Sequence, residues 1–557
     1  MKIRSKLLPL ALLAMGQSAF AQQPPGAGSQ LNQLPPPVDL QRAPPKVVIE
    51  ESTAAVEPGT EGARVLVNEL RFTGADAFPE AELLAATGFV PGTEVTLAEL
   101  QAMAARITAY YRERGYFVAR ATLPAQDIST HVVTIAISEG RYGEVILRNN
   151  STLSDGLVRQ VLDAPATGEP ILIEPLENRL LRLSDIPGVN IRSTLAPGTA
   201  PGSSDLIIDV EPGRRITGFV DADNAGNPYT GENRIGGQLN FNNLMGRGDV
   251  ASLRLLTSGE GLKYGRASYQ TMLGRATAGV AYSWLEYQLG KQFKPLGANG
   301  TAKVASVYGS LPLIRSRDTN LYAGLTFEHK QFEDRLDLFP AANRLASADV
   351  ISLSLYGDRS DTVFGGGANR FYLNLSGGRL DIESPLARAI DAATARTQGD
   401  YSKLWFHASR VQRITDTLSL SAAVTGQLAS KNLDPSEKLV LGGMDGIRAY
   451  PQGEAVGDEG VIAALEARLL LARTSDRIPG QLYLLGFVDA GRITINKDPW
   501  FPGDNERNLS GAGVGLTWSE PGDWSVRTYY AWKLGSEQAL SAPDKSGRFW
   551  IQAIKYF

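Results

Sequence analysis

The 557-residue chain contains no cysteine, and only three of its residues are histidine. A disulfide framework and a thiolate metal site are therefore excluded. The histidines stand far apart without the spacing of metal ligands, so each is interpreted as an ordinary polar residue of a surface or a cavity lining: His131, His329 and His407. No metal and no other cofactor is predicted.

The chain also lacks long apolar runs and a large charge imbalance. No stretch after residue 21 is apolar over the roughly 18 residues that a membrane-spanning helix requires. If the chain enters a membrane, it must do so as β-strands. The formal net charge of -4 argues against a general nucleic-acid binder, so nucleic acid is not expected as a partner.

Catalytic motifs are missing as well. No serine or other nucleophile stands in a motif with a positioned base. None of the glycine-rich stretches follows a strand and opens a helix, as a nucleotide-binding loop must. The chain is therefore predicted not to be an enzyme.

Residues 1–21 have the features of a secretory signal peptide. Lys2, Arg4 and Lys6 precede or flank the apolar run LLPLALLAMG. The sequence AFA at 19–21 supplies a small-x-small cleavage site. Export is therefore predicted, and this segment is excluded from the fold.

Residues 22–63 form a segment rich in Pro, Gln and Gly, and their prolines forbid a long helix. Composition favours a disordered linker. Only AGSQLNQL, residues 27–34, has helical potential, and Pro35 stops it.

Residues 64–140 are predicted to form a small α/β domain. The strand-like run RVLVNELRF opens it, and Thr96 and Glu99 have the spacing of a helix-capping box. Residues 141–213 repeat the order strand, two helices and two strands, beginning with GEVILRN and ending with SDLIIDV. The repeated order implies two small domains of one kind.

Residues 214–557 change to strands that alternate polar and apolar positions. In RIGGQLNFNN, residues 234–243, Ile235 and Leu239 share one face, and Arg234 and Asn240 share the other. A soluble β-sandwich and a transmembrane barrel both use such strands. Alternation alone does not separate these two architectures.

Three features favour the barrel. Many aromatic residues lie near strand ends, the signal peptide allows export, and the chain ends on the strand FWIQAIKYF. Its last residue, Phe557, resembles the terminal aromatic by which outer-membrane barrels are recognised for assembly. We therefore predict a mainly β protein whose transmembrane β-barrel of about 16 antiparallel strands follows the two α/β domains.

Several stretches together resemble the TpsB transporters of two-partner secretion, relatives of BamA whose periplasmic α/β domains are called POTRA domains. The stretches are YYRERGYFVARATLPAQDI (110–128), VTIAISEGR (133–141), LSDIPGVNIRSTLAPGTAPGSSDLIIDV (183–210), DNAGNPYTGENR (223–234) and NLMGRGD (243–249). Their order is specific, and with the motifs below they cover the chain from about residue 64 to its end. One departure is Ser129-Thr130-His131, where the family often has a glycine turn.

The resemblance also implies a contact inside the barrel, which we call the loop–barrel lock. In this family an arginine at the tip of an inward-folded loop, here residues 436–460, pairs with an aspartate of the wall. Ile447-Arg448-Ala449-Tyr450, preceded by Gly442, Gly443 and Gly446, matches the loop motif; Phe487, Asp489 and Gly491 match the wall motif. Alanine at 449 replaces the usual glycine. Without the resemblance, the sequence alone favours an exposed loop arginine that never meets Asp489.

The resemblance implies an outer-membrane pore of a Gram-negative cell, with its POTRA domains in the periplasm. Its expected partners are a secreted exoprotein with an N-terminal secretion domain, outer-membrane lipid, and, during biogenesis, the barrel assembly machinery and periplasmic chaperones. For residues 22–34 two interpretations stay open, the helix that family members place in the barrel as a plug and a disordered linker. A BamA-like assembly factor and a general porin are the alternative functions.

Overall fold

The structure is a computed structural model that describes residues 24–35, 46–49, 64–259, 261–473 and 479–557. The predicted signal peptide, residues 1–21, lies outside the described residues. Within the proline-rich segment the structure describes a short helix, α1 (Ala27–Leu31), and a strand, β1 (Lys46–Ile49). The helix is shorter than the predicted 27–34, and the strand was not predicted because the surrounding prolines suggested a linker.

The first α/β unit packs two helices against short strands. Its elements are β2 (Val65–Val67), β3 (Glu69–Thr73), α2 (Glu80–Thr87), β4 (Thr93–Val95), α3 (Leu97–Glu113), β5 (Arg120–Thr122) and β6 (Val132–Ser138). Helix α3 begins with the predicted capping box, because the Glu99 N–H donates to the Thr96 hydroxyl and the Thr96 N–H donates to the Glu99 carboxylate. That second hydrogen bond holds the pKa of Glu99 below its ordinary value.

The departure at Ser129-Thr130-His131 has a local explanation. His131 adopts a φ of 57°, in the left-handed region that favours glycine. Its ring nitrogen lies 3.0 Å from the Leu66 carbonyl oxygen. The turn therefore forms with histidine where the family often has glycine.

The second α/β unit repeats this order. It contains β7 (Arg141–Asn149), α4 (Asp155–Leu162), α5 (Ile173–Ser184), β8 (Val189–Pro197) and β9 (Ser203–Pro212). Its sheet has the order β1-β8-β9-β7, so β1 joins as a fourth strand. β1 pairs in parallel with β8, with Val47 opposite Ser193. A segment from outside the unit thus occupies one edge of its sheet.

The rest of the chain forms a closed barrel of sixteen strands, which confirms the predicted fold class. The strands are β10 (Ile216–Asp223), β11 (Arg234–Asn242), β12 (Val250–Thr257), β13 (Leu262–Leu273), β14 (Ala276–Gln288), β15 (Ala298–Arg315), β16 (Thr319–Leu336), β17 (Arg344–Asp361), β18 (Gly367–Ile382), β19 (Gly399–Arg413), β20 (Leu418–Ala429), β23 (Glu459–Arg473), β24 (Gln481–Thr494), β25 (Glu506–Glu520), β26 (Trp524–Lys533) and β27 (Gly547–Tyr556). β27 pairs with β10 and closes the barrel, which excludes the β-sandwich.

Burial along the strands follows the predicted alternation. On β11, Ile235 is exposed on the outside, whereas Arg234 and Asn240 are buried on the inside. On β26, Tyr530 is exposed and Tyr529 is buried. Apolar side chains that face outward suit lipid, and polar side chains that face inward suit a lumen. No helix among the described ranges is long and apolar enough to span a bilayer.

The second α/β unit is joined by ion pairs to the turns at one end of the barrel. The Arg315 guanidinium donates to both carboxylate oxygens of Asp185, over 2.7 and 2.9 Å. Arg317 pairs with Glu177. A third pair, Arg275 with Asp163, joins the turn between β13 and β14 to the end of α4. The contacts therefore concentrate on the first half of the barrel.

Candidate functional site in the barrel lumen

The connection between β20 and β23, residues 430–458, folds into the barrel. It contains a small hairpin, β21 (Leu439–Val440) and β22 (Val456–Gly457), and residues 447–450 at its tip are buried. Residues on widely separated strands contact it, including Lys330 on β16 and Arg507 on β25. Only a segment inside the lumen can reach both walls.

The structure brings Arg448 and Asp489 together. The Arg448 Nε and Nη2 atoms donate to the two carboxylate oxygens of Asp489 over 2.9 and 2.8 Å. The Arg448 backbone N–H donates to the same carboxylate over 3.1 Å. Asp489 is completely buried. A planar guanidinium suits this two-pronged contact, which the single ammonium of lysine cannot reproduce.

Two aromatic rings support the guanidinium. The Arg448 guanidinium carbon lies 3.3 Å from the ring centre of Phe487 and 5.1 Å from that of Tyr529. Cation–π attraction therefore adds to the ion pair. Phe487 belongs to the predicted wall motif, whereas Tyr529 was missed, because only the strand order of the barrel brings β26 to this place.

A second carboxylate completes the charge balance. The Arg448 Nη1 atom donates to Glu466 over 2.9 Å, and Glu466 also accepts from Arg468 over 2.6 Å. Glu466 lies opposite Phe487 in the β23–β24 register, so both side chains face the lumen. Sequence reasoning missed Glu466, although the alternation of β23 could have placed it inside.

The predicted glycines of the loop permit a tight tip. Gly443 has a φ of 135°, which a residue with a side chain rarely adopts. A Cβ atom at Gly446 would lie 2.1 Å from the Leu441 carbonyl oxygen. Gly442 and Gly491 also lie in close contact with neighbouring residues. The tip therefore keeps the compact turn that presents Arg448.

The alanine at 449 meets a glycine on the wall. A Cβ atom at Gly511 on β25 would lie 2.5 Å from the Ala449 methyl carbon. Ala449 itself is fully buried, and the neighbouring Tyr450 hydroxyl donates to the Glu537 carbonyl. The missing side chain at Gly511 therefore leaves room for the methyl group that departs from the family pattern.

Further ion pairs hold the two sides of the loop. Glu437 lies 2.7 Å from the Lys330 ammonium and 2.8 Å from the Lys403 ammonium. On the other side, Glu454 pairs with Arg507 and accepts the N–H groups of the 540–541 turn. These contacts join residues far apart in the sequence, so they could not be predicted from a local sequence pattern.

Helix α1 lies in the lumen beside this loop. The Ala27 N–H donates to Asp334 of β16 over 2.7 Å, and the Asn32 side chain donates to the Pro435 carbonyl over 2.9 Å. Gln33 accepts from Asn227 over 2.7 Å. The helix therefore contacts both the wall and the loop.

The terminal aromatic lies at the closing seam. Phe557 follows β27 and exchanges backbone hydrogen bonds with Gly218 of β10, over 3.0 and 3.1 Å. Its side chain is 45% exposed. The role of Phe557 as an assembly signal remains a prediction.

Comparisons with known proteins find similar proteins both by sequence and by structure. The model for the haemolysin secretion/activation protein family ShlB/FhaC/HecB matches residues 202–518, and that for the ShlB-type POTRA domain matches residues 65–140. The heme/hemopexin transporter protein HuxB of Haemophilus influenzae (strain 86-028NP) is 30% identical over 473 residues, which cover 84% of this chain and 82% of HuxB.

Two solved structures share the fold. CdiB from Escherichia coli superposes with a TM-score of 0.64 at 21% identity, covering 91% of this chain and 93% of CdiB. BamA from Haemophilus ducreyi lacking POTRA domains 1-3 superposes with a TM-score of 0.54 at 15% identity, covering 88% of this chain and 100% of that structure.

Proposed function

The chain belongs to the haemolysin secretion/activation protein family ShlB/FhaC/HecB and is an outer-membrane transporter that exports a partner exoprotein in two-partner secretion; we propose that the exoprotein crosses the lumen as an extended, unfolded chain. The observation that carries this proposal is a polar lumen filled by two elements of the chain itself, α1 and the loop 430–458. Both elements must move before a polypeptide can pass.

The loop–barrel lock keeps the transporter closed at rest. Its support is the buried, two-pronged pair of Arg448 and Asp489 together with the charges around Glu437 and Glu454. Helix α1 acts as a plug, because it contacts the wall at Asp334 and the loop at Pro435. A lumen occupied in this way is unsuited to the free diffusion expected of a general porin.

The POTRA pair receives the exoprotein by strand addition at a sheet edge, where backbone hydrogen bonds give affinity with little demand on sequence. The β8 edge of the second unit already carries β1. A cargo strand that docks on β8 therefore displaces β1, which stands between α1 and the first unit in the chain. Folding of the exoprotein outside the cell supplies direction.

Biogenesis brings the further partners. The barrel assembly machinery and periplasmic chaperones receive the unfolded transporter, and the exposed Phe557 at the end of β27 supports recognition by that machinery. The family match favours export over the alternative of a BamA-like assembly factor, which usually carries more POTRA domains than the two α/β units described in this chain.

A disulfide across β1 and β8 tests strand displacement. Because the chain has no cysteine, Val47→Cys combined with Ser193→Cys introduces one pair of thiols at directly opposed positions. We expect the oxidised double variant to insert normally but to stop exporting the exoprotein, and we expect a reductant to restore export. Ser193→Cys alone is the control. Full export by the oxidised form would refute displacement of β1.

A further inference from the structure

Four aromatic side chains form a continuous row on the barrel wall. We call Tyr322, Tyr356, Tyr372 and Trp405 the aromatic ladder; they lie on the consecutive strands β16, β17, β18 and β19. The first two ring centres lie 5.3 Å apart with planes at 12°, and the next two lie 5.6 Å apart with planes at 20°. Trp405 meets Tyr372 edge-on at 5.6 Å.

The ladder faces the lumen. On β17, Ala348 and Val350 pack with Leu433 of the inward-folded loop, and Tyr356 has the same parity as these two residues. Leu353, of opposite parity, is exposed on the lipid side. The strand register places Tyr322 and Tyr372 directly opposite Tyr356 on its two neighbouring strands, so all three rings share the inner face.

The ladder connects the periplasmic mouth with the loop. At its lower end Tyr322 lines a cavity of about 190 Å³ together with Asp185 of the second α/β unit. At its upper end Trp405 packs against the apolar cluster that contains Ile447 of the loop tip. A chain that passes from the POTRA units to the loop can follow these rings along the wall.

The ladder is partly open and lies among both uncharged and charged side chains. Asp358 and Arg370 lie opposite each other, two positions from Tyr356 and Tyr372 on the same strand faces. Tyr372 is 37% exposed. On the same face lie Ser352 and Ser376, whose hydroxyls form a hydrogen bond of 2.8 Å, and Asn374. Apolar and polar uncharged groups find flat ring faces here, beside the opposed charges of Asp358 and Arg370.

We propose that the aromatic ladder is a contact track for the unfolded polypeptide during export. This inference rests on the proposed passage of an extended chain through the lumen. Ring faces bind aliphatic and aromatic side chains and peptide groups weakly, without demanding one sequence. A row of such contacts lets a chain move by exchanging one ring for the next, so that no single contact holds it.

Single cysteines can measure this contact, because the full chain has none of its own. Ser354→Cys places a thiol on the ladder side of β17, and Leu353→Cys places one on the lipid side. The probe is a synthetic unfolded peptide of Gly, Ser, Val and Leu with one central cysteine. Disulfide yield between peptide and full-length transporter in lipid nanodiscs is the readout, and heat-modifiable migration verifies the barrel of every variant.

We expect cross-linking at position 354 and none at position 353. Adding Tyr372→Ala to Ser354→Cys should lower the yield about two- to tenfold, since one stacking surface is lost. Tyr372→Phe should retain the yield because it keeps the ring. Phe371→Ala is the matched control, since Phe371 is a neighbour of similar exposure, 40%, on the opposite face of the same strand.

The experiment separates failure of the ladder proposal from failure of the proposed passage through the lumen. An unchanged yield with Tyr372→Ala, or equal yields at positions 353 and 354, would overturn the ladder while passage through the lumen could still stand. Absence of cross-linking at position 354 in every variant would overturn the ladder. Tyr372→Leu keeps apolar area without a flat ring, and a full yield in this variant would also refute stacking as the cause.

Discussion

Replacing Arg448 by alanine is expected to impair export without preventing assembly. The change removes two charge-assisted hydrogen bonds to Asp489 and leaves that fully buried carboxylate with the backbone N–H of residue 448 as its remaining donor from the loop tip. Breaking a buried pair by removing one partner costs about 3–5 kcal/mol. The barrel keeps its sixteen strand pairings, so insertion should stay near normal.

The same loss of interaction free energy changes the fraction of time that the loop tip spends released from the barrel wall. Since about 1.4 kcal/mol changes an equilibrium constant tenfold, the loss shifts the equilibrium between the docked and released loop by about two to four powers of ten. Glu437 and Glu454 still hold the sides of the loop, so the tip is the part that is released. A thiol at the buried Met444, introduced as Met444→Cys, should react faster with an impermeant maleimide in the Arg448→Ala background.

The two partners should not be equivalent. Asp489→Ala leaves Arg448 with Glu466, which lies 2.9 Å away, whereas Arg448→Ala leaves Asp489 without an ion-pair partner among the described residues. We therefore expect the aspartate variant to be the milder of the two. Arg448→Lys should retain export only in part, because lysine keeps the positive charge but cannot form two parallel hydrogen bonds to the carboxylate.

A double-mutant cycle on export tests whether Arg448 and Asp489 act through one contact. If the residues act through one contact, the double variant should be little worse than Arg448→Ala alone. Membrane amount and heat-modifiable migration serve as controls for assembly. Strictly additive defects would show that the two residues act independently and would refute the lock.

Two further predictions concern other contacts of the loop, both measured by Met444→Cys labelling. Gly511→Ala should increase labelling, because its methyl group would collide with that of Ala449 at a cost of about 1–3 kcal/mol, and Ala449→Gly in the same chain should restore slow labelling; no rescue would refute the collision. Glu437→Ala should also increase labelling, because it removes the carboxylate shared by Lys330 and Lys403. Glu328→Ala is its control, since it removes only the weaker contact with Lys330 at 3.2 Å, and equal labelling in the two variants would contradict the role of Glu437.

Most of the fold could be predicted from local patterns in the sequence. Two-residue alternation on strands such as β11 follows directly from one face in lipid and one in the lumen. The capping box joins Thr96 and Glu99, which stand only three positions apart. β1 escaped notice because its four residues stand in a proline-rich segment, and its pairing with β8 joins parts of the chain more than 140 residues apart.

The site was predictable only where a motif marked it. Arg448 and Asp489 stand in recognisable motifs, whereas Glu466, Gly511 and Lys330 stand in ordinary strands. Their importance comes from the position of the loop, which brings residues such as Lys330 and Glu437 together across 107 positions of sequence. Periodicity gives the face of a strand, but it does not give the part of the lumen that a distant loop will occupy.

The charges between the loop and the wall are divided unequally, and this division determines the electrical character of the open pore. The wall contributes cations to the acidic loop residues Asp434, Glu437, Asp445 and Glu454; these cations are Lys330, Arg344, Lys403, Arg507 and Arg527. In the opposite direction, the loop contributes one cation, Arg448, which pairs with the wall carboxylates Glu466 and Asp489. Withdrawal of the loop therefore removes the loop partners of five wall cations and of two wall carboxylates. Glu328, Asp334 and Glu537 also contact three of these cations and remain to offset part of the uncovered positive charge.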